Sequence, residues 1–170
     1  MPQVRAWPYS LLVARRVGLQ ERFVPKYPHA WLVWEPVLWK PSAHSALAET
    51  ISADFGPKME SPPDGEAHCF ELKGEERILV GRAPGVDLRI NDAAVSRWHF
   101  WLEPAGGTSW RILPASEHAA TLLRGAPLPS DGAALQPGDE IRLGGVVLTF
   151  EDTPSLALRL DKTASEAGAK

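Results

Sequence analysis

Short runs of alternating apolar and polar residues fill the chain from residue 68 to residue 152. Alternation with a period of two is typical of half-buried β-strands, and the runs are HCFEL, RILVG, DLRI, HFWLEP, SWRILP, TLLRG, EIRLG and VVLTFED. Tight-turn sequences such as KGEE, APG and QPGD separate them. Gly144 and Gly145 predict a two-residue hairpin between the last two runs. With no helix-length pattern in between, this region predicts an antiparallel β-sandwich or barrel.

Residues 1–53 follow a different pattern, in which frequent prolines exclude a long helix. We expect a short helix in YSLLVARRVGLQERF with Ser10 as its N-cap, an extended AWLVWEP segment and a second short helix in SAHSALAETI. Four of the seven tryptophans also lie here: Trp7, Trp31, Trp34 and Trp39. Exposed tryptophans are costly, so this Trp/Pro-rich arm is expected to pack on the main domain or to meet a partner.

The remaining segments complete the predicted domain organisation. Residues 54–66 combine proline, glycine and charge and predict a linker. Residues 67–152 form the main domain. Residues 153–170 form a tail, with an extended piece at LALRL and a disordered final ten residues.

Overall composition excludes several classes of protein. A chain of 170 residues that is 44% hydrophobic and 23% charged is neither disordered nor fibrous. No stretch approaches the roughly 20 apolar residues that span a bilayer, so we expect a cytoplasmic protein without a membrane partner. Cys69 is the single cysteine, which excludes an intramolecular disulfide and a cysteine-only zinc site. Its apolar neighbours predict a buried structural thiol.

The net charge of −3 is spread unevenly. Residues 1–50 carry six Lys/Arg against three Asp/Glu, whereas residues 66–152 carry eight against thirteen. An acidic main domain argues against a nucleic-acid partner. The arm is locally basic beside its tryptophans, a combination that could stack bases, through Arg5, Arg15, Arg16 and Arg22.

Sequence features of enzymes are not found. There is no Gly-rich phosphate loop and no nucleophile elbow. His29, His44 and His68 form no convergent pattern, so we expect no metal, no cofactor and no catalytic residue.

One stretch, VGRAPGVDLRINDAAVSRWHF, places polar residues at two turns. If the turns meet at one end of a sandwich, Arg82 offers a guanidinium fork and Ser96 a hydroxyl on the same surface. Such groups, with nearby backbone N–H donors, suit an anion, and a phosphate ester best. From these residues alone the alternative stays open that Arg82 is a solvated turn residue and Ser96 a turn former.

The surrounding motifs resemble the forkhead-associated (FHA) domain family, over roughly Cys69 to Asp152. The matching positions are Gly81-Arg82, Asp87, Ser96-Arg97-Trp98-His99, Leu135, Gly138-Asp139, Ile141 and Gly144. Their order and spacing match the family pattern as well as their residue types do.

The resemblance implies an all-β, FHA-type antiparallel β-sandwich of about eleven strands that binds phosphothreonine peptides through its apical loops. Carried over to this chain, Arg82 takes the phosphate and Ser96 donates its hydroxyl to it. Arg97 faces the peptide. Gly81 and His99 are structural braces. Trp98 is either a surface platform beside the peptide or a cover for the sandwich edge.

The sequence departs from the family pattern at EHAATLLRG. Thr121 aligns with a family threonine and is expected to contact the peptide, but Ala119 stands where the family has an asparagine that holds the peptide main chain. Losing that hydrogen bond is worth about 0.5–1.5 kcal/mol. His118 either compensates as a peptide or phosphate donor or is an ordinary loop residue.

Two functions follow as expectations. The first is a phosphothreonine-binding adaptor in serine/threonine kinase signalling, whose partners are a phosphothreonine-containing protein and its kinase. The second is a phosphate-independent assembly module that keeps the FHA fold and docks a partner through the N-terminal arm.

Overall fold

The described part of the chain consists of two β-sheets packed face to face, with helices covering the outer face of the larger one. The computed structural model describes residues 4–36 and 66–168. The larger sheet has the order β1-β3-β2-β12-β11-β8-β9, and the smaller has the order β10-β7-β6-β4-β5. The strands are β1 Ala6–Pro8, β2 Ala30–Trp34, β3 His68–Leu72, β4 Ile78–Gly81, β5 Leu88–Arg89, β6 Phe100–Pro104, β7 Trp110–Pro114, β8 Leu122–Leu123, β9 Ala126–Pro127, β10 Ala133–Ala134, β11 Glu140–Leu143 and β12 Val146–Asp152.

This architecture confirms the predicted all-β sandwich. Twelve strands lie in the described residues, against about eleven expected. Pairing is antiparallel except between β4 and β5, which run parallel. The two-residue hairpin at Gly144 and Gly145 is confirmed by the pairing of Leu143 with Val146, and Gly144 has the positive φ of 61° that such turns require.

Strand β2 shows that the N-terminal region belongs to the sandwich. It lies between β3 and β12 and pairs with both along its full length, and all five of its side chains are buried. The boundary predicted near residue 54 therefore does not separate two folding units, because a central strand comes from before it. The linker was predicted from proline, glycine and charge content, and these do not report strand pairing. Residues 37–65, which hold the second predicted helix and almost all of the predicted linker, lie outside the described residues.

Alternation along β2 divides its side chains between two hydrophobic cores. Ala30, Leu32 and Trp34 join the core between the sheets. Trp31 and Val33 point the other way, into a second core beneath the helices. Cys69 also lies in this second core, where burial raises the pKa of its thiol to about 12, so the predicted buried thiol is confirmed.

The helical layer consists of α1 (Tyr9–Leu19), a 3₁₀ turn (Gln20–Arg22), α2 (Phe23–Lys26) and α3 (Thr153–Gly168). The N-terminal helix was expected, but Ser10 is not its N-cap: Pro8 is in that position. Pro8 has an extended backbone with a ψ of 139° and caps the helix with no side-chain hydrogen bond, so the helix begins at Tyr9. The backbone N–H of Ser10 donates to the Glu66 carboxylate.

The C-terminal tail is helical, so the extended piece expected at LALRL and the disorder expected from residue 161 are wrong for the described part. Leu156, Ala157 and Leu160 are buried, which is the spacing of one helix face. Asp152 accepts a hydrogen bond from the Ser155 N–H at 2.9 Å and so caps the helix. These three apolar residues favour a helix because α1 and the larger sheet provide a surface that their side chains cover.

The buried face of α3 provides a stability test. Replacing Leu160 with alanine should lower the free energy of unfolding by about 2–3 kcal/mol, because its side chain is fully buried. Replacing Leu158, which is 71% exposed on the same helix, should change it by less than about 0.5 kcal/mol. Urea denaturation of both variants measures the difference. Equal losses would contradict the placement of this helix.

Strand directions define two ends of the sandwich. Strand β4 ends at Gly81, β6 begins at Phe100 and β7 ends at Pro114, and these three positions are neighbours. We call this the apical end; it carries the loops 82–87, 90–99 and 115–121. The β3–β4 turn and the β6–β7 turn lie at the opposite, basal end.

Candidate functional site

The first two apical loops are joined by their backbones. The Arg82 N–H donates to the Ser96 carbonyl oxygen at 2.9 Å, and the Ala83 N–H donates to the Arg97 carbonyl oxygen at 3.1 Å. Gly81 permits this approach, because a Cβ at that position would lie 2.2 Å from the Arg97 carbonyl oxygen. The structure thus brings together Arg82 and Ser96, which are fourteen residues apart in the sequence.

The Arg82 side chain is exposed and held at one point of its guanidinium group. Its Nε donates to the Val95 carbonyl oxygen at 3.0 Å, while Arg89 Nε donates to the Arg82 carbonyl oxygen at 2.9 Å. Fixing Nε leaves the two terminal amino groups as the donors that a phosphate would bind. Asp87 forms no ion pair with this guanidinium. Its carboxylate instead accepts a hydrogen bond from the Leu79 N–H of β4 at 2.8 Å.

His99 connects the second apical loop to the third. It is buried, and its Nδ1 accepts the Ser96 N–H at 2.9 Å. Its Nε2 lies 3.1 Å from the Ala120 carbonyl oxygen, to which it donates. Both hydrogen bonds require the neutral tautomer with the proton on Nε2. Burial lowers the pKa of His99, and its hydrogen bond to Ala120 opposes that effect in part.

The buried imidazole predicts that the protein loses stability as the pH falls below about 6.5. The unfolded chain takes up protons near the ordinary histidine pKa of about 6.5, whereas burial delays protonation of folded His99 and folded His29. The unfolded state then binds more protons, so the free energy of unfolding decreases with decreasing pH. Urea denaturation at pH 7.5 and pH 5.5 measures this loss.

A pair of variants assigns the effect to His99. His99→Gln should show a smaller loss between the two pH values than the unchanged protein. His118→Gln, which removes an exposed imidazole, should show the same loss as the unchanged protein. An equal loss of unfolding free energy between pH 7.5 and pH 5.5 in the unchanged protein and in His99→Gln would contradict the assignment.

Arg97 and Trp98 extend the surface beside Ser96. Arg97 is exposed, and the Trp98 side chain is 62% exposed. A tryptophan that covered the sandwich edge would be largely buried. Trp98 is therefore available as a flat contact surface next to the two polar residues.

The third apical loop, residues 115–121, presents fewer side chains to a peptide than the sequence predicted. His118 is exposed, and its backbone N–H donates to Ser116 Oγ at 3.2 Å. Thr121 is only 7% exposed. It directly precedes β8, and its carbonyl oxygen accepts the Leu128 N–H at 3.0 Å. Thr121 is thus not presented to a peptide in this conformation. Ala119 is half-buried and provides no amide.

Three residues that support the site were missed by sequence reasoning. Val95 holds the Arg82 guanidinium through its carbonyl oxygen, a backbone contact that no residue type signals. Arg89 supports the Arg82 backbone; its outward position in the alternating run DLRI was the available signal. Ser116 organises the third loop, and a serine two residues before a turn residue is the pattern that could have found it.

In the parts of the chain that the structure describes, no group of three or more His, Cys, Asp or Glu side chains is placed to hold a metal ion. Over the same residues, no helix has the length and apolar character that crossing a membrane requires.

Comparison with known protein families identifies the chain. The family described as "Inner membrane component of T3SS, cytoplasmic domain" matches residues 65–154, more than half of the sequence. The chain belongs to this family. Among curated proteins, none matches the sequence.

Solved structures establish that this family member has the FHA fold. The FHA domain of an Arabidopsis thaliana hypothetical protein is similar over 74% of this chain and 86% of its own, with 24% identity and a TM-score of 0.51. The FHA domain of the CT664 protein from Chlamydia trachomatis is similar over 72% of this chain and 97% of its own, with 17% identity and a TM-score of 0.50. The resemblance to FHA domains seen in the sequence is confirmed.

Proposed function

We propose that this FHA domain is a phosphothreonine-peptide-binding adaptor in serine/threonine kinase signalling. The observation that carries the proposal is the joining of the two apical loops, which places the exposed Arg82 beside Ser96. In FHA domains this pair of positions binds the phosphate, so the same roles are proposed here. The partner is a phosphothreonine-containing protein, and the kinase that phosphorylates it is a second partner.

Charge and geometry support phosphate as the ligand. A phosphoryl group carries about −1.5 to −2 charges at pH 7, and a guanidinium fork is matched to two of its oxygens. Ser96 adds a hydroxyl donor from the neighbouring loop. The buried, neutral His99 holds that loop in place through the Ser96 N–H, so the site needs little rearrangement on binding.

The peptide itself is proposed to run along the exposed Arg97 and Trp98 toward the third loop. Arg97 would contact the residues after the phosphothreonine, and His118 is the exposed donor on the far side. Because Thr121 is buried and position 119 is alanine, the third loop holds the peptide less firmly than the family pattern implies. We therefore expect the phosphate to dominate affinity and the flanking sequence to contribute modestly.

A degenerate phosphothreonine peptide library and its unphosphorylated counterpart test the proposal. Binding of phosphorylated peptides with dissociation constants in the micromolar range, about −8 kcal/mol, is the expected result. Affinity should weaken with added salt and as the pH falls below about 6, where the phosphate loses charge. Equal binding of the two libraries would reject it.

Family membership favours a second candidate, a phosphate-independent assembly module. The matched family is described as an inner membrane component of T3SS, a description of a part in a larger assembly. The N-terminal region would then dock a partner through its exposed surface, where Leu11 is 48% and Val17 is 57% exposed on α1.

Introducing negative charge at these two exposed apolar positions of α1 distinguishes the assembly candidate. Deleting the N-terminal region is unsuitable, because it would remove the central strand β2. Leu11→Glu with Val17→Glu should leave the sandwich intact, because both side chains are exposed. A pull-down that survives phosphatase treatment but is abolished by this double variant would favour assembly over phosphopeptide binding.

A further inference from the structure

A cavity of about 610 Å³ opens at the basal end of the sandwich. Its wall includes residues from β1, α1 and α2, from β3, and from the two basal turns. The turns contribute Gly74 and Gly107, where a Cβ would meet no atom within 4 Å, so they leave the cavity open to a ligand. Because β4 runs from the basal end to Gly81, the length of the sandwich separates this cavity from Arg82. Its volume lies in the usual range for small-molecule sites.

Cationic side chains outnumber acidic ones by four to one around this cavity, within the described chain. The cations are Arg5, Arg15, Lys26 and Lys73, and the acidic residue is Glu71. The Glu71 charge is already neutralised inside the wall, because its side chain is 2% exposed and the Lys73 ammonium lies 3.3 Å from its Oε2. Three cations therefore remain to attract an anionic occupant: Arg5, Arg15 and Lys26.

The three remaining cations differ in their pairing from Arg16, which belongs to the same helical layer. Arg16 Nε lies 2.8 Å from the Asp161 carboxylate. By contrast, Arg5, Arg15 and Lys26 make no ion pair with any residue that the structure describes. Like charges that share a cavity without a counter-ion repel one another and lower the stability of the unliganded protein. A bound anion would remove that repulsion and stabilise the fold.

Buried aromatic residues hold the two arginines in place. The Arg5 guanidinium lies 4.0 Å from the Trp7 ring centroid, and the Arg15 guanidinium lies 5.3 Å from the same centroid. Arg15 Nε also donates to the Tyr27 hydroxyl at 2.6 Å. Stacking covers one face of a guanidinium and leaves the N–H groups at its edge as donors. Trp7 and Tyr27 are buried, so they position the arginines and need not contact a ligand themselves.

We propose that this cavity binds a diphosphate group. The guanidinium edges of Arg5 and Arg15 bind phosphoryl oxygens, and the exposed Lys26 adds an ammonium. A diphosphate carries several negative charges on one compact group, which suits cations that converge on one cavity, whereas an acidic peptide spreads its carboxylates along a chain. The group can arrive on a free molecule or on a lipid, and the test separates these sources. This site is independent of the apical phosphopeptide site.

Calorimetric titration of the full chain with pyrophosphate, orthophosphate and sulfate at constant ionic strength tests the proposal. Pyrophosphate should bind at least about tenfold more tightly than the other two anions and should raise the Tm. Phosphatidylcholine vesicles containing a polyprenyl diphosphate test the lipid source. Their binding in competition with pyrophosphate would identify a lipid-borne ligand, and its absence a free one. Equal affinity for the three anions, or an oligo-aspartate peptide that competes as well as pyrophosphate, would overturn the proposal.

Single substitutions assign the binding to this cavity. Arg5→Ala and Lys26→Ala, both at exposed positions, should each weaken pyrophosphate binding about tenfold without lowering the Tm of the unliganded protein. Arg22→Ala is the matched loss of a cation, exposed in the same helical layer but outside the cavity lining, and should bind normally. Arg82→Ala should also bind normally, which separates this cavity from the apical site. Affinity lost in Arg82→Ala, or unchanged in both Arg5→Ala and Lys26→Ala, would refute the proposal.

Discussion

Replacing Arg82 with alanine is expected to lower the affinity for a phosphothreonine peptide by about a hundredfold. The change removes the guanidinium fork from the surface that Ser96 shares, with the loss of two charge-assisted hydrogen bonds. Such bonds contribute about 1.5–3 kcal/mol each, and about 3 kcal/mol in total corresponds to two orders of magnitude. Fluorescence anisotropy with a labelled peptide selected from the library measures the change.

Arg82→Lys and Arg111→Ala are the controls for this loss. Lysine keeps the charge without the fork, so Arg82→Lys should retain part of the affinity if the phosphate is bound bidentately. Arg111, on β7, donates to the Asp131 carbonyl oxygen and lies outside the apical loops, so its removal should leave peptide binding unchanged. Phosphopeptide binding that is unaffected by Arg82→Ala would exclude the phosphate-binding role.

Replacing Gly81 with alanine is expected to destabilise the fold by about 3 kcal/mol or more. The new Cβ would lie 2.2 Å from the Arg97 carbonyl oxygen and 3.1 Å from the Ser96 carbonyl oxygen. Both atoms are backbone, so the two loops must separate to relieve the overlap. Thermal unfolding should show a fall in Tm of about 6–12 °C, and the separated loops should lose phosphopeptide affinity in the remaining folded protein.

Gly145→Ala is the matched control. No heavy atom lies within 4 Å of a Cβ at that position, so the substitution should change the free energy of unfolding by less than about 0.5 kcal/mol. If Gly81→Ala were as stable as Gly145→Ala, the close approach of the apical loops would be wrong.

The two halves of the apical site differed in how well sequence predicted them. Arg82 and Ser96 stand on turns whose strands are marked by alternation, so local pattern and family resemblance placed both at the same end. Thr121 was expected at the peptide because it aligns with a family threonine, yet it is buried. Its exposure depends on the packing of the short β8 and on the Leu128 contact, which alignment does not describe.

A cavity of about 610 Å³ at the basal end of the sandwich could not be predicted from sequence. Its lining combines Arg5 and Trp7 from the N-terminus with Glu71 from β3 and Trp110 from β7. The sequence showed a basic, tryptophan-containing region but gave no reason for its arginines to surround a buried carboxylate. Only the insertion of β2 beside β3 brings His29 to Glu71.

By itself, the sequence determined the β-sandwich, the FHA resemblance and the polar residues of the first two apical loops, because strand alternation and turn chemistry are local properties. Tertiary structure decided the rest. Strand β2 entered the larger sheet, the tail became a helix over Leu156 and Leu160, and the domain gained a second core. Those outcomes depend on which apolar surfaces remain to be covered once the two sheets have packed, and that is a property of the whole chain.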